Sequence, residues 1–115
     1  MRAFCNPLTK DIPQVKVPYK IREEEQEQLS VDEGHSPWKL DPVFVAQVFA
    51  SLLITPGGIV GDYPIASNEV TLIYQDSKKA IIEIHNKNSP AKKVYLARLF
   101  RCNYTGIWTV VGYDK

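Results

Sequence analysis

The sequence predicts an α+β domain, one buried helix packed on a curved antiparallel β-meander, and three observations carry that prediction. From Val43 to Ile54 the chain is apolar apart from Gln47 and Ser51, holds no charge, and is preceded by Asp41-Pro42, a cap and first-turn pair. From Glu69 onward, apolar and polar residues alternate in short runs parted by turn-forming residues, which is the pattern of paired strands. The chain closes on Gly106-Ile107-Trp108-Thr109-Val110-Val111-Gly112-Tyr113, a composition that suits a pleated, at least half-buried surface.

With 115 residues there is room for one hydrophobic core and not two. The reading divides the chain into an extended Pro-rich arm with a polar helical segment over 1–36 and the α+β domain over 37–115. Apolar residues at 44% and charged residues at 23% are ordinary for a soluble globular chain and argue against disorder or a membrane protein. A formal charge of +1 without a dense Lys/Arg face lacks the footprint of phosphate-backbone binding, so nucleic acid is not an expected partner. The run Val43–Ile54 is too short for a transmembrane segment, and Met1–Cys5 lacks the apolar core of a signal peptide.

Pro7, Pro13 and Pro18 make residues 1–20 an extended arm. Arg22–Gln28 is rich in helix formers but has no apolar face, so a helix there lies on the surface or forms only in part. Ser30-Val31-Asp32-Glu33 has capping-box spacing, but Gly34 follows at once and the segment reads as a turn. Asp41 then caps a helix over 42–54, with Phe44, Val48, Phe49 and Leu52 expected against the meander and Thr55-Pro56-Gly57-Gly58 ending it. Residues 57–68 have no clear period yet carry Ile59, Val60, Tyr63 and Ile65, and are expected to fold back as a lid or short strand. Val70–Tyr74 and Ala80–His85 alternate around a polar turn as a hairpin. The third strand, Lys93 to Cys102, is ambiguous: Arg98 breaks its parity, so both faces are covered or a bulge switches the register.

This combination of one buried helix, an irregular segment and a meander closing on a Gly-x-Trp-x-Val type strand resembles small cystatin-like and NTF2-like α+β domains. With Pro37-Trp38-Lys39-Leu40-Asp41-Pro42 ahead of the helix, it also looks like uncharacterised secreted proteins of Gram-positive bacteria. The resemblance covers residues 37–115 and implies a curved sheet wrapped on a helix with a pocket at its mouth; fold alone does not set function in such families. Two features depart from it. The only near match to a cystatin inhibitory loop, Gln14-Val15-Lys16-Val17-Pro18, precedes the helix and ends in proline. Phe4 stands before Cys5 where a lipidation signal has a small residue, so no lipid anchor is carried over.

The functional reading is a non-enzymatic domain, extracytoplasmic with a cytoplasmic location as the alternative, that binds a protein or small-molecule ligand through the sheet or the 57–68 loop. Asp62, Tyr63, Tyr74 and Tyr95 are its candidate ligand-binding residues. The rival is a pocket enzyme of ketosteroid-isomerase type, in which Asp62 and a tyrosine supply base and hydroxyl donor. A structural module that forms a homodimer through the sheet is the third class. No cofactor motif is present, and His35 and His85 have no neighbours at metal-ligand spacing. Lys92, Lys93, Arg98 and Arg101 read as charges that guard a sheet edge. Cys5 and Cys102 are expected as free thiols, because an isolated cysteine behaves as a small hydrophobe and Cys5 lies in a terminal segment; pairing them would mean export and an ordered arm.

Overall fold

The computed structural model describes residues 13–115. A two-residue strand, β1 (Val15–Lys16), is followed by helix α1 (Ile21–Asp32), a 3-10 turn at Pro37–Leu40, and helix α2 (Pro42–Ile54). After a second 3-10 turn at Ser67–Glu69 come four strands: β2 (Val70–Gln75), β3 (Lys79–Ile84), β4 (Lys93–Ala97) and β5 (Thr109–Asp114). All pairings are antiparallel and the sheet order is β1-β5-β4-β3-β2. The fold is therefore α+β, two helices with a five-stranded antiparallel sheet.

Helix α2 begins as its sequence dictates, with the Asp41 carboxylate accepting from the Val43 amide (3.0 Å) and Pro42 in the first turn. The face it buries is offset from the expected one. Val45, Ala46 and Ala50 enter the core, Phe44, Val48 and Phe49 are half-buried, and Leu52 is exposed. The helix has no charged or solvent-facing polar stripe to orient it, its two polar residues Gln47 and Ser51 being themselves buried, and the small side chains of Ala46 and Ala50 let it approach the sheet closely. Against them pack Ile82, Ile84, Val94, Leu96 and Trp108. Trp108, which directly precedes β5, packs in this core on the α2 side, 2% exposed.

The ambiguity of the third strand resolves into a switch of register together with an early end to the strand. Strand β4 ends at Ala97, and its register with β5 shifts between Tyr95 and Leu96. Residues 98–108 then leave the sheet, so β5 starts at Thr109 instead of Gly106. Gly106 lies so close to the Arg101 carbonyl that a Cβ there would collide with it. Helix α1 holds this excursion. Gln28 is 3% exposed; its Nε2 donates to the Thr105 carbonyl (2.9 Å) and its Oε1 accepts from the Ile107 amide (3.0 Å). Arg101 forms a two-point ion pair with Asp32, Nη1 to Oδ1 at 2.8 Å.

Three expectations are corrected here. Ser30–Asp32 belong to α1, which runs on because Val31 is buried and Gln28 anchors it; the chain turns at Gly34, whose φ of +94° suits glycine. The 57–66 segment forms no strand. Its irregular path is pinned by Ile65, fully buried, whose carbonyl accepts from Gln47 Nε2 (2.9 Å) and whose amide donates to Ser51 Oγ (3.2 Å). Cys102 is disulfide-bonded, not a free thiol: it sits partly exposed in the 98–108 excursion, outside the core where a lone cysteine would pack. Cys5, the only other cysteine of the chain, and the arm up to residue 12 lie outside the described residues. Among the described residues, no helix is long and apolar enough to cross a membrane.

Candidate interaction surface

The candidate residues Asp62, Tyr63, Tyr74 and Tyr95 fall on two sides of the sheet. Tyr63 belongs to the α2 side. Its ring meets Phe44 edge-on, centroids 5.9 Å apart at 87°, and Phe44 in turn packs on Trp38 at 5.5 Å. The three rings thus come from the 3-10 turn, the first turn of α2 and the irregular loop. Lys39 extends the group, its Nζ 5.5 Å from the Trp38 ring centre and 3.1 Å from Glu27 of α1. Tyr63 remains 41% exposed, and Val60, three residues earlier in the same loop, is 95% exposed. Asp62 stands exposed between them.

Tyr74 and Tyr95 occupy the opposite face. The register sets Tyr74 across from Ile81 and Ile81 across from Tyr95, so the two rings flank one isoleucine. Each hydroxyl donates to a nearby carboxylate, Tyr74 to Asp76 (2.7 Å) and Tyr95 to Asp114 (2.6 Å). Partial desolvation raises the Asp76 pKa, but the Tyr74 hydroxyl and the amides of Lys78 and Lys79 outweigh it and hold the carboxyl below its ordinary value. The Tyr74 phenol therefore donates to an ionised carboxylate, and the Tyr95 phenol is likewise tied to a side chain at the end of its neighbouring strand. The structure brings Tyr74 and Tyr95 to one face and keeps Asp62 and Tyr63 on the other side of the sheet.

Two further features were not anticipated. Arg98 turns inward where β4 ends, 6% exposed, with its guanidinium 4.3 Å over the Trp108 ring, Nε donating to Gly106 O (3.3 Å) and Nη1 to Ser77 O (3.2 Å). Burial lowers its pKa, and carbonyl dipoles and the indole face take the place of a carboxylate partner. It is a strut that joins the β2–β3 turn to the 98–108 excursion, not an edge charge. The second feature is β2, the terminal strand of the sheet, exposed at every position after Val70 and carrying Leu72, Ile73 and Tyr74 in succession.

Sequence patterning placed Phe44 against the meander and gave Trp38 no packing role; both are half-buried, Trp38 against the core. The signal that could have found the loop was Gly58-Ile59-Val60-Gly61, an apolar pair held between glycines with positive φ. The chain matches no protein-family model, no curated protein and no solved structure.

Proposed function

We propose that this chain is a non-enzymatic, extracytoplasmic interaction domain that binds a protein partner through the aromatic group of Trp38, Phe44 and Tyr63 together with Val60. The observation that carries the reading is a nearly bare Val60 three residues before Tyr63, whose ring meets Phe44 edge-on and through it joins Trp38. Scattered exposed apolar residues mean little, but rigid aromatic clusters beside an exposed aliphatic are the composition of an interface centre. Export is supported by the disulfide at Cys102, since such bonds persist in oxidising compartments. The likeness to cystatin-like and NTF2-like domains belongs to the same reading, supported by one helix lying across an antiparallel sheet. Tyr74 and Tyr95 of the rival enzyme reading are supported better as structural donors, because Asp76 and Asp114 already accept hydrogen bonds from their hydroxyls.

The test is a comparison of baits. Wild-type protein and the Val60→Asp and Tyr63→Ala variants, each confirmed folded by circular dichroism, are presented to the extracellular fraction of the source cells. A partner retained by the wild type and lost from both variants supports the proposal. A partner retained equally by all three overturns it.

A further inference from the structure

The face of the sheet turned away from α2 carries a buried strip that is not part of the α2 core. Ala80, Ile82, Val94 and Leu96 point into that core, so alternation turns Ile81, Tyr95 and Ala97 to the outer face. The register adds Thr109, the partner of Ala97, and Gly112, the partner of Tyr95, since directly opposed residues share a face. Ile81 is 9% exposed, Ala97 3% and Thr109 4%, and all three stand outside the cluster packed on α2. Helix α2 lies on the other face, and α1 sends the Gln28 and Asp32 bonds to the 98–108 excursion.

The chain enters this strip at Pro13. A Cβ added to Gly112 would collide with the Pro13 ring, so Pro13 lies on the outer face where a side chain at 112 would stand, next to Tyr95. From there the chain passes to the sheet edge, where the Gln14 amide donates to Asp114 Oδ1 (2.9 Å) and β1 begins. The arm that precedes Pro13 has a second anchor. Cys102 is disulfide-bonded, and Cys5 is the only other cysteine of the chain. Tyr95 and Cys102 are seven residues apart in sequence, hence at most about 25 Å in space, and the eight residues from Pro13 back to Cys5 reach about 27 Å when extended. A segment held beside Tyr95 at one end and at Cys102, past the end of β4, at the other thus has the length to cross the strip. Between its anchors stand Pro7, which disfavours a helix there, and the apolar Leu8 and Ile12, which suit an apolar surface.

We propose that Cys5 is the partner of Cys102, that residues 5–12 form a strap across the outer face over Tyr95, Ala97 and Thr109, and that reduction of the bond by a dithiol releases it. Two electrons and two protons pass from the dithiol, which closes to its own disulfide, and Cys5 and Cys102 become thiols. The strip so uncovered is a second surface, on the other side of the sheet from Tyr63 and its aromatic neighbours, and its exposure follows the redox state of the surroundings.

Measurements on the full chain test the bond, the path and the release in turn. Mass spectrometry of a non-reduced tryptic digest is expected to find peptide 3–10 joined to peptide 102–115. A Cys102–Cys102 bond between two chains overturns the proposal. For the path, a benzophenone amino acid replaces Leu8 and, in a second protein, Thr9; successive residues of an extended chain point to opposite sides, so one probe faces the sheet. After irradiation of the oxidised protein and reduction for mapping, at least one probe is expected on peptide 80–87 or 94–98, which hold Ile81, Tyr95 and Ala97. Attachment of neither probe to these peptides overturns the strap. For the release, nitration of Tyr95 by tetranitromethane is expected to rise severalfold once the chain is reduced with a dithiol and alkylated. Tyr63, 41% exposed on the α2 side, is expected to react equally in both states and reports that the fold is intact. Equal reactivity of Tyr95 in the two states, or a parallel rise at Tyr63, overturns the release.

Discussion

Replacing Gln28 by alanine removes a side chain that bridges α1 to the 98–108 excursion, and the structure sets the size of the loss. Three bonds go: Nε2 to Thr105 O, Nε2 to Asp32 Oδ1 at 3.2 Å, and the Ile107 amide to Oε1. The decisive one is the Ile107 amide, which lies in a residue 2% exposed and has no water to turn to once the acceptor is gone. A buried polar group left unpaired costs about 1–3 kcal/mol, and the Thr105 carbonyl, partly exposed, adds a smaller share, so Gln28→Ala should lose roughly 2–4 kcal/mol. Gln28→Glu should lose as much, because a carboxylate keeps the acceptor but turns an oxygen toward the Thr105 carbonyl. Urea unfolding with the disulfide intact measures both through the shift in midpoint at constant slope. Hydrogen exchange adds a local readout, since α1 amides should lose protection before those of β3 and β4. A loss below about 0.5 kcal/mol, the range of ordinary surface changes, would refute the claim that this glutamine holds the excursion.

The Asp41 cap should contribute about 1 kcal/mol, so Asp41→Ala should lower the urea midpoint by that equivalent; an unchanged midpoint would mean that Pro42 and packing alone start α2. Trp108→Ala should lose about 3–5 kcal/mol, because the ring is core and Arg98 stacks upon it. A loss below roughly 1 kcal/mol would mean that the site stays filled without the ring. Arg101 holds the Asp32 pKa below its ordinary 3.8, with Gln28 assisting against partial desolvation. The folded value lies below the unfolded one, so this contribution is present above about pH 4 and is lost as pH falls through the folded value. Acid titration of stability should therefore be shallower in Asp32→Asn than in wild type, and parallel curves would count against the ion pair.

What could be read from the sequence was whatever rests on local pattern. Asp41-Pro42 announces the start of α2, and the hairpin of β2 and β3 follows from alternation around a polar turn. What could not be read depends on contacts between distant residues. Helix α1 docks through a glutamine in a run of charged and polar residues, so no apolar stripe marks it. The end of β4 was obscured because Arg98 is buried against Trp108, ten positions away, and a buried arginine mimics a solvent-facing break. The bonded state of Cys102 needed the position of its segment outside the core, which spacing does not supply. Of the candidate residues, Tyr63 was singled out for its place in an irregular apolar loop, but its contact with Phe44, and through Phe44 with Trp38, joins three separate segments and leaves no local pattern.

The binding surface assigned to Val60 and its aromatic neighbours can be probed directly by photocrosslinking. A benzophenone amino acid is placed at Val60 and, in a second protein, at Lys87, an exposed turn position between β3 and β4. Irradiated with the extracellular fraction of the source cells, in which the proposed partner is sought, the Val60 probe should give a discrete heavier adduct with a second protein while the Lys87 probe gives none. No adduct at Val60, or equal adducts at both positions, would contradict the assignment of that surface.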